Sequence, residues 1–512
     1  MLFAEPSPPE ALLRLVGEGR SSIGELLEAR AGASPDATFL IYGGERTSYA
    51  QALKIVRERA GRLLDLSGKD RPRVATFFGN SPEALWAWLA TAYTGGTFVP
   101  LNRGHKGPLL SEQIDRINPD LILTDSEGVE RFGSRDALFD SSQIDWQDTQ
   151  PLTSPRSEAE QVATIMFTSG TTGRSKAVQV PHNQYARGAA RLVDAFNLGS
   201  DDVFHNWLPL FHLAGQLHMT MTAIVSGGTV ALFPTFSRTQ FREQVVATGA
   251  TVVCGFTSIL NMIWSLPPCE EDSRSTLRVG IFAGIPDELR LPFEARFGIK
   301  LGDNYGMTEA DPITLPGREA PPGSCGIASP DFEIAILDEQ DRVLPAGAVG
   351  EIAARPRAAH LMFTGYQHDE DATLTAQRNF WFHTGDIGRL DEEGYLYFLG
   401  RKSGYIRRRG ENISVAEIEA LFLAHPEVAE CAAVGVPSPL GEDDVKLVVV
   451  PVAESSLNPP ELHRFACQQM ARFMVPRFIL ITDSLPRTDL GKVSLVGLRE
   501  LRLGLWDAEG KS

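Results

Sequence analysis

An apolar run, Val162-Ala163-Thr164-Ile165-Met166-Phe167, passes directly into Thr168-Ser169-Gly170-Thr171-Thr172-Gly173-Arg174-Ser175-Lys176. The run reads as a strand that leads into a loop of Gly, Ser and Thr closed by one lysine. Small residues let backbone N–H groups come close to a ligand, and glycine tolerates the positive φ that an anion nest requires. Ser169, Thr171, Thr172 and Ser175 add hydroxyl donors, and Lys176 adds a point charge suited to phosphate. The stretch reads as a holder of nucleotide phosphates. It is not the common P-loop, whose G-x-x-x-x-G-K-[ST] spacing is not met from Gly170. On composition alone, a polar surface turn competes with this reading.

The chain has 512 residues, too many for one core, which predicts at least two domains. A hydrophobic content of 43% and a charged content of 22% are ordinary for a soluble globular protein. The net charge of −17 argues against a nucleic-acid partner, so any polyphosphate site needs its own local cations. Cys254, Cys269, Cys325, Cys431 and Cys467 are scattered and odd in number, which fits a reducing compartment and neither a disulfide framework nor a zinc site. The N-terminus does not read as a signal peptide and no apolar run approaches a membrane span. The expectation is a cytoplasmic protein.

Along the first 400 or so residues short apolar runs alternate with amphipathic stretches. Residues 73–78, 96–101, 121–124, 228–233 and 252–256 read as strands, and 82–92 as a helix. This alternation predicts layered, mostly parallel α/β structure. After Gly323 shorter strands, 332–337 and 348–354, predict an antiparallel sheet or barrel that closes the large domain. A boundary is expected near 401–404, giving an N-terminal domain over 1–402 and a small α+β domain over 403–512. In the latter, Ser414-Val415-Ala416-Glu417 reads as a capping box, and 431–436 and 446–450 read as strands.

The order T-S-G-T-T-G-x-S-K resembles the signature loop of the adenylate-forming (ANL) superfamily of acyl-CoA synthetases, peptide-synthetase adenylation domains and luciferases. Further strings carry the resemblance across nearly the whole chain. Asn304-Tyr305-Gly306-Met307-Thr308-Glu309 resembles the Y-G-x-T-E motif. The resemblance implies that Tyr305 stacks on adenine, Thr308 bonds the α-phosphate and Glu309 holds Mg²⁺. Such a grouping makes chemical sense: an aromatic face binds a base without charge, and a carboxylate beside phosphates needs a cation between them. Gly284 stands where the family has an adenine-side loop. Asp386 of Thr384-Gly385-Asp386 resembles the ribose-binding Asp, and Arg401 its companion arginine. Lys492 of Pro486-Arg487-Thr488-Asp489-Leu490-Gly491-Lys492 resembles the catalytic lysine that meets the charge gathering between carboxylate and α-phosphate.

Pro209-Leu210-Phe211-His212 resembles the segment whose aromatic residue gates the acyl site. Trp207, His212, Gln216, Phe256 and Asp311 are the expected acyl-pocket residues. No Asp beside His212 is present to pair an α-amine, and a buried unpaired ammonium is costly, so α-amino acids are poor candidates. Asp311 is one candidate partner for an ammonium-bearing acid, with a simple turn as the competing reading. Arg409-Gly410-Glu411-Asn412-Ile413-Ser414 resembles the CoA-facing segment of carnitine/crotonobetaine and medium-chain acyl-CoA ligases. The run Arg407-Arg408-Arg409 could meet CoA phosphates or be a solvated face. The hinge departs from the family pattern: Ser403 holds the pivot and Gly404 the following acidic position. The implied reaction is MgATP-dependent formation of an acyl-adenylate and pyrophosphate, then transfer to CoA with release of AMP. Its alternative is transfer to a carrier-protein phosphopantetheine or a separate partner transferase.

Overall fold

The computed structural model describes residues 21–104, 107–132, 137–168, 176–317, 320–401, 405–408, 411–438, 443–470, 472, 474–488 and 492–510. The chain divides into two compact units. The first takes in residues 1–334, 354–382 and 391–397, the second 335–353, 383–390 and 398–512.

The first unit holds two seven-stranded sheets. One runs in the order 300–302, 279–283, 252–256, 203–206, 229–232, 38–42, 45–48. All its neighbours are parallel except the last pair. The other runs 365–366, 176–181, 162–168, 97–100, 73–77, 121–124, 138–140. It is parallel from 162–168 onward and antiparallel at the 365–366 edge. The interior strands are apolar on both faces because helices cover both, as the near-continuous hydrophobic runs require. Ala75, Phe77, Val99, Ile122, Ile165 and Ala177 form one such core with Leu110, Ile114 and Ile117.

Helix Pro82–Thr94 shows how local sequence sets these elements. Ser81 caps it by accepting from Ala84 N, Pro82 opens it, and Gly95 closes it at φ 74°. A Cβ on Gly95 would stand 2.8 Å from the Arg156 carbonyl, so glycine is required there on both counts. The short strands after Gly323 form a four-stranded sheet in the order 332–337, 350–356, 382–390, 396–401.

The second unit is built on a sheet ordered 428–437, 443–451, 478–481, 506–507. Val445, Leu447 and Val449 face one core with Ile418, Phe422, Leu462 and Ala466 from two helices. Val448 faces the opposite core, with Leu485 and Leu498. The period of two divides the strand's side chains between two buried faces, which explains why 446–450 is apolar with the single exception of Lys446.

Candidate active site

Strands Val162–Thr168 and Lys176–Pro181 form an antiparallel hairpin, with Thr168 opposite Lys176. Residues 169–175, hence Ser169, Gly170, Thr171, Thr172 and Gly173, lie outside the described residues. The loop therefore joins two antiparallel strands and does not lead into a helix, which sets it apart from a P-loop in topology as well as spacing. Lys176 Nζ lies 3.5 Å from the Tyr366 hydroxyl and 4.5 Å above its ring. Tyr366 sits on the edge strand Gly365–Tyr366, in register with Val178, and donates to Glu309 Oε1 at 2.9 Å. Burial, and then the Glu309 charge, push the Tyr366 phenol well above its ordinary range, so it remains a donor.

Thr308 and Glu309 form the corners of a tight turn closed by Met307 N to Ala310 O and Ala310 N to Met307 O, both 2.9 Å. Gln184 Nε2 donates to the Thr308 carbonyl at 3.1 Å, and Phe363 N donates to the Glu309 carbonyl at 2.7 Å. Glu309 is 8% exposed. Upstream, Tyr305 N donates to Thr314 Oγ1 at 2.7 Å, which fixes the backbone of the tyrosine. Asp303, which the motif reading missed, ties Asn304-Tyr305-Gly306 to the Gly284 loop. Its carboxylate accepts from Gly284 N and Ile285 N, each at 3.1 Å, with Gly284 at φ 74°. Burial pushes its pKa up to about 6 against the pull of those N–H groups. The only sequence signal was an aspartate directly after the short strand Lys300-Leu301-Gly302.

On the expected acyl side, Trp207 is buried and meets Phe256 and Phe236 edge-on, with ring centroids at 6.0 and 5.2 Å. Phe256 is 46% exposed, and His212 is exposed. Asn80, a second residue missed from sequence, staples this segment. Its amide donates to the Trp207, Leu208 and Phe233 carbonyls and accepts from Leu210 N. Gln216 anchors the same segment. It is fully buried, accepts from the Tyr185 hydroxyl and donates to the Leu210 carbonyl, both at 2.5 Å. One donor and one acceptor position of its amide thus hold the loop.

Asp311 is also more than a loop turn. It is buried, and its Oδ2 lies 2.9 Å from His218 Nε2. His218 stands on a π-helical segment, Gly215–Met221, a geometry that recurs at functional sites. Burial alone would lower the imidazole pKa, but the adjoining Asp311 carboxylate outweighs it and holds the pKa up at about 10.

In the second unit, Lys492 lies exposed on a hairpin. Arg487 bridges Val493, Thr488 N donates to the Lys492 carbonyl at 2.7 Å, and Ser494 N donates to the Pro486 carbonyl at 2.8 Å. Asp386 is buried on strand Phe382–Leu390 just after Gly385 at φ 73°, and its N–H donates to Thr384 Oγ1 at 3.1 Å. Arg401 ends strand Leu396–Arg401. Ser403, Arg409 and Gly410 lie outside the described residues, and Glu411 opens strand Glu411–Ser414 opposite Arg408. Arg408 corrects the basic-run reading. It is 8% exposed, lies 3.0 Å from Asp444 and donates to the Val475 carbonyl at 2.8 Å. Its charge is neutralised inside the unit and is not available to CoA phosphates. The five cysteines stand as thiols, and no helix among the described residues is long and apolar enough to cross a membrane.

Comparison with known proteins places these features in a family. The AMP-binding enzyme family matches residues 27–367, and the AMP-binding enzyme C-terminal domain matches residues 417–492. The crotonobetaine/carnitine–CoA ligase of Salmonella agona (strain SL483) is 28% identical over 93% of this chain and 98% of its own length. ATP-bound MatB from Rhodopseudomonas palustris superposes with a TM-score of 0.85 at 26% identity, covering 94% of this chain and 99% of that one. The o-succinylbenzoate CoA synthetase MenE from Bacillus subtilis, in complex with its acyl-adenylate intermediate, superposes with a TM-score of 0.82 at 25% identity and the same coverage. Matched by the two family models over most of its length, the chain belongs to the AMP-binding enzyme family, a family of AMP-forming acyl-CoA synthetases.

Proposed function

We propose that this enzyme activates a carboxylic acid with MgATP and then passes the acyl group to CoA. In the first step a carboxylate oxygen bonds to the α-phosphorus of ATP, the α–β anhydride bond breaks and pyrophosphate leaves. In the second the CoA sulfur attacks the acyl carbon, the bond to the phosphate oxygen breaks and AMP leaves. Phosphoryl chemistry of this kind depends mainly on positioning and charge neutralisation. The observation that carries the reading is the chain Lys176–Tyr366–Glu309, which sets a cation beside the phosphate loop and a buried carboxylate next to Thr308.

Each residue takes a role by its place. Thr168, the loop 169–173 and Lys176 hold the β- and γ-phosphates, and Thr308 bonds the α-phosphate. Gly284, Asn304, Tyr305 and Gly306 receive adenine, and Asp386 with Arg401 receives ribose. Glu309 would hold Mg²⁺ through its carboxylate. The metal, when bound, neutralises phosphate charge. Lys492 supplies the positive charge at the reacting centre. Trp207, His212 and Phe256 border the acyl group, Arg409, Gly410 and Glu411 serve CoA, and Ser403 is the pivot between domains 1–402 and 403–512. The acceptor is CoA, as in the ligases it resembles, rather than a carrier protein or partner transferase. The five thiols fit a cytoplasmic location.

The test is mass spectrometry of products from MgATP and a panel of carboxylic acids, with and without CoA, run alongside Lys492→Ala. Acyl-CoA from the parent enzyme and loss of acyl-adenylate in the variant are expected. Adenylate formed at the parent rate by Lys492→Ala would remove the lysine from the reacting centre.

A further inference from the structure

Strand Phe382–Leu390 carries a glycine at φ 73°, Gly385, directly before the buried Asp386. A Cβ on Gly385 would meet nothing within 4 Å, so glycine serves the backbone conformation there and does not relieve crowding. A positive-φ glycine inside a strand marks a kink or bulge, a feature that re-aims the neighbouring side chain. A kink also turns N–H groups out of the ladder, and each then needs another partner.

The neighbouring strand, Gly350–Pro356, supplies those partners, within the second unit. Glu351 is 6% exposed, and its two oxygens divide between two residues of the kink. Oε1 accepts from Gly385 N at 3.3 Å, and Oε2 lies 3.2 Å from His383 Nδ1. Beside it, the Ile352 carbonyl accepts from the Thr384 hydroxyl at 2.7 Å, and the same hydroxyl oxygen accepts from Asp386 N at 3.1 Å. Residues 383–386 are thus tied one after another to Glu351 and Ile352. An ordinary strand pair has no need of a buried carboxylate, which is costly to desolvate. Here the carboxylate sits opposite the kink and fixes the backbone that aims Asp386.

We infer that Glu351 is a positioning residue for ribose recognition, setting the Asp386 carboxylate through the Thr384-Gly385 kink without touching the nucleotide itself. The inference rests on the reading of Asp386 as the residue that receives ribose.

The test is calorimetric binding of ATP and of 2′,3′-dideoxy-ATP, each with magnesium, to the full-length protein, followed as the ratio of the two affinities. The parent protein is expected to prefer ATP at least about tenfold, and Asp386→Ala to lose most of that preference. Glu351→Met removes both acceptors at similar length, and Glu351→Asp keeps the charge but withdraws it by one methylene. Both are expected to lower the ratio about fivefold or more, with dideoxy-ATP binding within about twofold of the parent. Glu351→Gln, which can still accept from Gly385 N, is expected to keep most of the preference. A residue that only stabilised the sheet would weaken both nucleotides alike and leave the ratio unchanged. An unchanged ratio in Glu351→Asp therefore overturns the inference, whether or not Glu351→Met folds. A fall in Glu351→Gln as large as in Glu351→Met would trace the effect to lost charge and overturn it as well. Equal affinities of the parent protein for the two nucleotides, or a full preference in Asp386→Ala, would remove the ribose role from Asp386, and the inference with it.

Discussion

Tyr366 and Glu309 stand 57 positions apart in sequence, yet the tyrosine hydroxyl donates to the glutamate at 2.9 Å. The short strand Gly365–Tyr366 pairs with the strand that Lys176 opens, which places one phenol between a cation and a carboxylate. A buried carboxylate without donors is expensive, and here the donor also spaces Lys176 from Glu309. The pair therefore orients Glu309 before any ligand arrives.

Tyr366→Phe removes that donor, and with it the oxygen 3.5 Å from Lys176 Nζ, while keeping the ring beneath the lysine. A hydrogen bond to a charged group is worth about 1.5–3 kcal/mol, so the magnesium concentration giving half-maximal pyrophosphate release is expected to rise about tenfold or more. The thermal midpoint should move only slightly. A magnesium titration at saturating ATP reads this directly, and a curve superimposable on that of the parent enzyme would exclude Tyr366 from the site.

Gly284→Ala tests the link between Asp303 and the adenine side. Gly284 holds φ 74°, and a Cβ there would meet Thr257 Oγ1 at 2.8 Å. A non-glycine residue in this conformation costs about 1 kcal/mol, and the clash adds to it. The loop is expected to shift away from its two N–H bonds to Asp303, raising the KM for ATP severalfold with a smaller effect on the acid. Steady-state kinetics with each substrate varied in turn separates the two, and an equal rise in both would point to general destabilisation.

The sequence carried the apolar strands of both large sheets, the helix that Pro82 opens and the strands of the C-terminal sheet, because each is a contiguous string or a local period. What it could not carry were single residues whose work depends on a distant partner. Asn80 acts on residues 127 and more positions away, and Asp303 acts on a loop 18 and 19 positions upstream. Gln216 and Arg408 have the composition of ligand-binding residues, but burial commits both to internal partners. Asp311 reads locally as an aspartate before proline, and only the fold supplies His218. The π-helical register of Gly215–Met221 likewise leaves no mark in the hydrophobic pattern.

The His218–Asp311 pair makes stability depend on pH in a definite direction. The folded-state pKa of His218 is raised from 6.5 to about 10 by its carboxylate partner, against burial. The folded form thus binds the proton more tightly than the unfolded form, so the contribution is complete below about pH 6.5 and is lost as pH rises through about 10. Urea midpoints taken between neutral and alkaline pH are expected to fall for the parent protein and to fall less for His218→Gln. Parallel slopes would mean that His218 does not carry the linkage.

Lys446 offers a way to disturb the hairpin that presents Lys492 without touching it. It is fully buried, and its ammonium donates to the carbonyls of Leu498 and Leu501 at 2.6 and 2.5 Å, closing helix Leu495–Glu500. That helix starts immediately after Ser494, which closes the hairpin bearing Lys492, and Gly497 packs on Pro486 so closely that a Cβ would stand 2.7 Å from it. Lys446→Met leaves two buried carbonyls without donors, at about 1–3 kcal/mol each, partly offset by apolar burial. The helix is expected to loosen and Lys492 to lose its fixed presentation. Acid-dependent pyrophosphate release should drop about tenfold or more, whereas ATP binding, whose proposed adenine, ribose and phosphate residues lie outside this helix and hairpin, should stay within about twofold of the parent. Lys446→Arg, which keeps a cation but changes its shape, should recover part of the rate. Full activity in Lys446→Met would show that the hairpin holds its geometry without the cap.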